Sequence, residues 1–246
     1  MKRIFLSITV VIVMVFTGQA QMRITPKAGY VASTWSMSSL VKEQYFEVEK
    51  VKFISGFAVG AAFEISLTDI FSLQPEVLYS QKGFKGTGLY DDGERTGTYS
   101  KTFQLNYVEV PVLFKASFGK EDGLRFFGYF GSYLGYTFNG KQKYEISSGN
   151  IKFSQTVKIK FEDRESSLEE IYYSNDEVNR LDLGVYAGAG VSLPVGIGAI
   201  SLETRFGYGL GDFYRDTSPF YGNENLKSQT RTISAFIGYS LPLKGK

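Results

Sequence analysis

The stretch LDLGVYAGAGVSL at Leu181–Leu193 alternates without a break between two kinds of side chain. Odd-numbered residues are apolar, whereas even-numbered residues are Asp, Gly, Tyr or Ser. Alternation with period two places successive side chains on opposite faces of a β-strand. Strands of soluble proteins are about five or six residues long, whereas a tilted strand that crosses a bilayer needs about 9–11. The stretch therefore predicts a long strand with one apolar face and one polar face.

Seven other segments alternate in the same way and predict seven more strands. They span residues 22–34, 53–67, 71–82, 107–118, 124–138, 200–210 and 232–241. The resulting even number suits a bacterial barrel, which closes with an even number of antiparallel strands. A soluble β-sandwich would show the same alternation, with its polar face toward water instead of a lumen. Alternation alone therefore leaves both architectures open.

The lengths of the connections favour the membrane barrel. Long polar connections alternate with short ones along the whole chain, as in outer-membrane barrels with long extracellular loops and short periplasmic turns. The long connections span residues 35–52, 84–101, 139–179 and 211–229, and the short ones span residues 68–70, 119–123 and 195–198. We therefore expect an all-β fold, an eight-stranded antiparallel up-and-down transmembrane β-barrel with long extracellular loops. Both termini would then lie on the periplasmic side.

Aromatic residues on the apolar faces agree with this orientation, because barrels carry an aromatic girdle at each membrane interface. The outer girdle would comprise Tyr30, Phe53, Tyr79, Phe138 and Tyr208, and the periplasmic girdle Phe63, Phe71, Phe118, Phe126 and Tyr239. A hairpin is also predicted on either side of the turn at residues 147–150 in the third long connection. If this hairpin entered the membrane, the barrel would have ten strands.

The first twenty residues predict a secretory signal peptide. A basic start at Met1–Arg3 precedes the apolar run Ile4–Phe16, and small residues then lead to a cleavage site between Ala20 and Gln21. The run is shorter than the about 20 residues of a membrane-spanning helix. We therefore expect a signal peptide at residues 1–20, an outer-membrane β-barrel domain at residues 21–246, and a location in the outer membrane of a Gram-negative bacterium.

Composition narrows the classes of function. The chain has no His and no Cys, which rules out a Ser-His-Asp triad, a Cys-His pair, disulfides and a lipid-anchored cysteine. Two of the 27 basic residues lie in the signal peptide, and the remaining 25 equal the 25 acidic residues in number. Nucleic-acid binding needs a large excess of cations, so no nucleic-acid partner is expected. We also expect no catalytic residue, no cofactor and no metal site.

Two motifs resemble signatures of the PorT-like outer-membrane β-barrel family of Bacteroidota. LQPEVLYSQKG at residues 73–83 is similar to the third-strand signature of that family, and YVEVPVLFK at residues 107–115 is similar to its fourth-strand motif. Residues 182–190 and 205–212 resemble the family as well. The resemblance implies an eight-stranded outer-membrane barrel of a family whose members mostly have no assigned activity. One branch takes part in protein secretion. The C-terminal LPLKGK departs from the aromatic last residue common in such barrels.

The predicted lumen carries mid-strand charges of both signs. An eight-stranded barrel is only wide enough for side chains to fill it, and buried charges are costly unless they pair. We therefore expect a structural polar network, with a narrow ion path and acid–base catalysis as the alternatives. The network would contain Lys27, Glu64, Glu76, Glu109, Lys115, Arg125, Asp182, Glu203 and Arg205. Glycines on the inward faces would relieve crowding in this lumen.

The predicted role is non-enzymatic, either envelope-structural or partner-binding through the extracellular loops. A component of a PorT-like secretion machinery is the main alternative, and a small-solute pore is a further one. The expected partners are outer-membrane lipid and lipopolysaccharide, with envelope or secretion proteins as candidates. The third long connection has a basic first half and an acidic second half. It is interpreted as a solvated extension, with a binding surface or a divalent-cation site as the alternatives.

Overall fold

The structure is a computed structural model. It describes residues 22–39, 42, 48–91, 96–120, 122–149, 151–162, 169–173, 178–214 and 227–243. The predicted signal peptide, with its cleavage site between Ala20 and Gln21, lies outside these residues. Within the described residues the strands are β1 (Met22–Met37), β2 (Lys50–Lys52), β3 (Ile54–Ser66), β4 (Phe71–Asp91), β5 (Thr96–Gly119), β6 (Arg125–Ser148), β7 (Ile151–Lys160), β8 (Glu170–Tyr172), β9 (Leu181–Val195), β10 (Gly198–Gly209) and β11 (Ser228–Leu243).

Eight of these strands form a closed ring in the order β1-β3-β4-β5-β6-β9-β10-β11, and every neighbouring pair is antiparallel. The ring closes between the first and last strands, where Met22 lies opposite Leu243. The predicted eight-stranded antiparallel barrel is therefore confirmed. β2 pairs with β4, whereas β7 pairs with β6 and β8, so these three strands lie outside the ring and the ten-stranded alternative is wrong.

Each ring strand exposes large apolar side chains on its outward face. One example from each strand, in ring order, is Tyr30, Phe57, Val77, Val112, Phe130, Leu183, Leu202 and Ile237. So large an apolar surface is not tolerated in water but is the normal exterior of a barrel in lipid. Of the predicted girdle aromatics, Tyr79 and Tyr239 are half-buried and the others are exposed. No helix in the described part of the chain is long and apolar enough to cross a membrane.

At the end of the barrel opposite Met22 and Leu243, β4, β5 and β6 continue far past this apolar band. β4 and β5 stay paired as far as Asp91 opposite Thr96, so the predicted loop at residues 84–101 is mostly strand. β6 continues to Ser148, and β7 then runs back along it with Lys152 opposite Ser147. The predicted hairpin is confirmed, but it belongs to a paired sheet and not to a polar loop. We call residues 50–52, 83–91, 96–106, 139–149 and 151–160 the outer extension.

The two faces of β5 exchange polarity where the outer extension begins. Val108 and Val110 are exposed on the outward face, whereas Phe103 and Leu105 are fully buried on the inward face. A β-bulge lies at this level, because the register with β6 shifts after Asn106. Water replaces lipid outside the barrel at this height, so the apolar face of the sheet has to turn inward. The exchange explains why the sequence pattern is misread as a loop here.

Candidate functional site

Four buried charges form a network in the middle of the lumen. Glu76 accepts hydrogen bonds from Lys27 Nζ at 2.7 Å and from Nη1 and Nη2 of Arg205, both at 2.9 Å. Glu203 accepts from the same two cations, at 2.6 Å from Lys27 and 3.1 Å from Arg205. Inward positions on β1, β4 and β10 bring these residues together. Two cations and two carboxylates balance, so this central network is neutral and its charges are paired.

A second network lies nearer the outer end. Lys82 forms ion pairs with Glu109 and with Asp182, the latter at 3.4 Å between Nζ and Oδ2. The hydroxyl of Tyr186 donates to Glu109 at 3.1 Å, and that of Tyr133 donates to Asp182 at 3.3 Å. Together these side chains bury one cation and two carboxylates. The network expected from the sequence does not include Lys82, although Lys82 shares the inward parity of Glu76 six residues earlier.

The remaining predicted lumen residues lie at the periplasmic end. Lys115 Nζ is 2.7 Å from Glu64 Oε2, and both side chains are slightly exposed. Arg125 stands apart, because its guanidinium donates only to the backbone oxygen of Asp69, at 3.4 Å. It forms no ion pair with another described residue, so the pairing expected for Arg125 stays a prediction.

Glycines of β9 make room for aromatic rings of β6. Gly184 lies directly opposite Tyr133, and Gly188 lies directly opposite Tyr129. A Cβ atom on either glycine would come within 2.6 Å of the facing ring. The rings cover the glycines and fill the lumen, a pairing known to stabilise glycine in sheets. These glycines are therefore part of the packing around the charge networks.

Above the second network, aromatic side chains close the outer end of the lumen. The indole ring of Trp35 lies 5.1 Å from Phe84, 5.3 Å from Phe103 and 5.0 Å from Phe213, measured between ring centroids. We call the buried cluster that contains these rings the aromatic plug. Its members are Trp35, Val48, Phe84, Phe103, Leu105, Tyr107, Ile159, Phe161, Val178, Phe213 and Tyr214. Below the plug, the cavity beside Lys27 and Gln74 is only about 10 Å³, which is room for at most one water.

Sequence reasoning missed the aromatic plug, because most of its residues lie in segments interpreted as loops. The available signal was parity, since Phe84 continues the inward positions that carry Glu76 and Lys82 on β4. Tyr107 joins the aromatic plug to the second network. It belongs to the plug, and Lys82 Nζ lies 5.4 Å from the centroid of the Tyr107 ring. The polar and apolar fillings therefore contact each other at this level.

The outward side of the outer extension is polar and basic. Directly opposed residues form cross-strand rows, such as Lys52, Lys85, Thr102 and Lys143 across β2, β4, β5 and β6. We call the outward positions of residues 50–52, 85–89, 98–104, 141–147 and 152–158 the lysine face. It carries Lys50, Lys52, Lys85, Lys141, Lys143, Lys152 and Lys158. A groove of about 700 Å³ runs along it.

Glu145 is the acidic residue on the lysine face. It accepts hydrogen bonds from Lys143 at 2.8 Å and from Lys85 at 3.3 Å, and these bonds lower its pKa to about 2. Ser100 donates to the same carboxylate at 3.2 Å. By contrast, Lys50 and Lys152 form no ion pair with another described residue. The lysine face therefore keeps a large excess of positive charge.

No group of three or more acidic, His or Cys residues in the described ranges could hold a metal ion. Much of the acidic half of the third long connection, including Asp163, Glu165, Asp176 and Glu177, lies outside those ranges. The cation-site alternative for that half therefore stays a prediction. The carboxylates of the lumen are held by cations and tyrosines and are closed off from the outer end by the aromatic plug.

An antiparallel ring with an apolar exterior and a filled polar interior defines an integral β-barrel of the outer membrane. The chain belongs to the outer membrane protein beta-barrel domain family, whose sequence model matches residues 18–215. Membership places it in the outer membrane of a Gram-negative bacterium.

Solved structures of several outer-membrane proteins are similar to this chain at low identity. Ail, the attachment invasion locus protein of Yersinia pestis, is 12% identical over 89% of this chain and 98% of its own, with a TM-score of 0.37. Neisserial surface protein A is 15% identical over 89% and 97%, with a TM-score of 0.39. OprG from Pseudomonas aeruginosa is 8% identical over 92% and 97%, with a TM-score of 0.42. No curated protein matches the sequence.

Proposed function

We propose that this protein is a non-enzymatic and non-conducting barrel that anchors a binding surface, the outer extension, at the outside of the cell. The observation that carries the proposal is the double closure of the lumen. Paired charges fill the middle of the barrel, and the aromatic plug covers them from outside. A solute path would have to break both layers.

The outer extension is well suited to present a surface. Its parts of β4, β5 and β6 continue barrel strands, and β2 and β7 pair with β4 and β6, so the barrel holds it in a fixed position. Binding sites built on strands are held more precisely than sites on loops. The carboxylate pairs of the lumen, Glu76 with Glu203 and Glu109 with Asp182, have no open route to a substrate past the aromatic plug. This closure supports a binding role over a catalytic one.

The closed lumen is tested by swelling of proteoliposomes in isosmotic solutions of small sugars. Vesicles with the wild-type protein should swell no faster than protein-free vesicles. A diffusion porin of known activity, reconstituted at the same protein-to-lipid ratio, is the positive control. Swelling at the rate of the porin would overturn the proposal and favour the small-solute pore.

Secretion machinery is the second candidate function, and it rests on the resemblance of residues 73–83 and 107–115 to PorT-like strand motifs. Envelope proteins would then be its partners, next to the lipid and lipopolysaccharide that surround any outer-membrane barrel. Co-purification from native membranes tests this role. Recovery of secretion-channel subunits would support it, and their absence under conditions that keep other envelope complexes intact would contradict it.

A further inference from the structure

The lysine face has an unusual charge balance for this chain. Seven lysines and one glutamate occupy its outward positions, with Glu49 and Glu170 at its edges, whereas the chain after the predicted signal peptide has equal numbers of basic and acidic residues. Between the lysines, the same rows present hydroxyl groups, including Thr87, Ser100, Thr102 and Ser154. Lysine ammonium groups beside hydroxyl donors are suited to phosphate oxygens on a polyhydroxylated ligand.

The lysine face continues the lipid-facing surface of the barrel. Lys85 has the same outward parity on β4 as Val77 and Tyr79, which lie in the apolar band. Molecules that stand in the outer leaflet beside the barrel therefore rise directly along the lysine face. This continuity selects an occupant that is rooted in the membrane.

Height above the membrane narrows the occupant further. Lys85 follows the rim residue Tyr79 by six positions, about 20 Å of strand, or about 15 Å along the membrane normal for a tilt of about 40°. The headgroup layer of an ordinary phospholipid extends only about 5–8 Å beyond the hydrocarbon. A headgroup that reaches Lys85 has to be longer, as an oligosaccharide is.

We propose that the lysine face binds the phosphorylated oligosaccharide headgroup of an outer-leaflet glycolipid. The inference rests on the proposed function, since it names the ligand class of the outer extension. Two carboxylates, Glu49 and Glu145, also line the groove. Lys85 and Lys143 are engaged with Glu145, so Lys50, Lys52 and Lys152 carry most of the remaining positive charge. Thr87 and Ser154, which also line the groove, supply hydroxyl donors beside them.

The test measures the affinity of the folded barrel in detergent for purified lipopolysaccharide. The test variant combines Lys50→Gln, Lys52→Gln and Lys152→Gln. A matched control combines Arg23→Gln, Lys120→Gln and Lys227→Gln, which makes the same change in charge away from the lysine face. A heat-modifiable gel shift verifies that each variant is folded before binding is measured.

Each lysine near an anionic headgroup is worth about fivefold in affinity, so the test variant should bind about 100-fold more weakly. The control should bind as the wild type does. Lipopolysaccharide without its phosphates should bind the wild-type protein more weakly than intact lipopolysaccharide does. It should bind the test variant almost as well as it binds the wild type. An affinity of the test variant within fivefold of the control would overturn the proposal.

Two further probes identify the source of the phosphate. Phosphatidylglycerol and the phosphorylated core oligosaccharide without its acyl chains should both bind more weakly than intact lipopolysaccharide. If the free oligosaccharide binds as tightly as intact lipopolysaccharide, the ligand does not need to be anchored in the membrane. If phosphatidylglycerol binds as tightly as intact lipopolysaccharide, the ligand does not need an oligosaccharide. If one of these binding tests fails while proteoliposomes with the wild-type protein still do not swell, this inference is refuted. The proposal of a closed barrel then still stands.

Discussion

Glu76→Gln should be among the most destabilising single changes in the barrel. The substitution keeps the shape of the side chain but turns the neutral central network into one with a net charge of +1. Arg205 loses two charged hydrogen bonds and Lys27 loses one, and both cations then share Glu203. Leaving a buried charge without its partner costs about 3–5 kcal/mol. We expect about 4 kcal/mol, because the Glu76 side chain is fully buried.

Urea unfolding in phospholipid vesicles measures this loss, with the fraction folded read from the heat-modifiable gel shift and extrapolated linearly to zero urea. Glu64→Gln is the matched control, because Glu64 also lies 2.7 Å from a lysine but its side chain is 12% exposed. The control should cost less than Glu76→Gln, because water reaches both partners of the Glu64–Lys115 pair. Adding Lys27→Met to Glu76→Gln restores neutrality, so the double variant should lose less than the sum of the single losses. A loss for Glu76→Gln no larger than that of the control would refute the reasoning.

Three other predictions follow from the packing and the outer extension. Gly188→Ala should cost about 1–3 kcal/mol through overpacking against the ring of Tyr129 and the backbone oxygen of Thr204. Gly128→Ala, whose added Cβ meets nothing closer than 3.7 Å, should unfold at the same urea concentration as the wild type. Trp35 is the single tryptophan and is buried, so on folding its fluorescence emission should shift to the blue and become resistant to quenching by acrylamide. Trp35→Ala should lower the free energy of unfolding by about 3–5 kcal/mol. Quenching of Trp35 by acrylamide in the folded protein would contradict the aromatic plug. Hydrogen bonds in the folded protein lower the pKa of Glu145 from 4.5 to about 2, so its stabilising contact is fully present above pH 4.5 and is lost as the pH falls toward 2. A pH titration of the Glu145 carboxyl chemical shift should have its midpoint at about pH 2. A midpoint near the ordinary value of 4.5 would contradict the contact with Lys143.

The sequence predicts the barrel well because lipid and lumen impose opposite polarities on alternate residues over long distances. Leu181–Leu193 shows this in its clearest form, and the structure places its apolar residues outside and Asp182 inside. The glycines of the same strand were correctly interpreted as relief of crowding, since Gly184 and Gly188 lie under aromatic rings.

The outer extension was not predictable by the same reasoning. Above the membrane the outside becomes aqueous, so Phe84 turns inward and Lys85 turns outward on a strand that had the reverse pattern below. The apolar and polar positions are exchanged at this level, and from the sequence alone this exchange resembles the end of a strand and the start of a loop. Lys82 lies just before this change, and for that reason its place in the second network was missed. Which charges pair in three dimensions depends on strand register, which the alternation does not contain.

Single-channel recording in planar bilayers tests the central claim, that the lumen is closed, most directly. The wild-type protein, inserted and shown to be folded, should give no steady conductance above the bare bilayer, because the central network and the aromatic plug leave no continuous water path. Steady channels in the nanosiemens range from the wild-type protein would contradict the account.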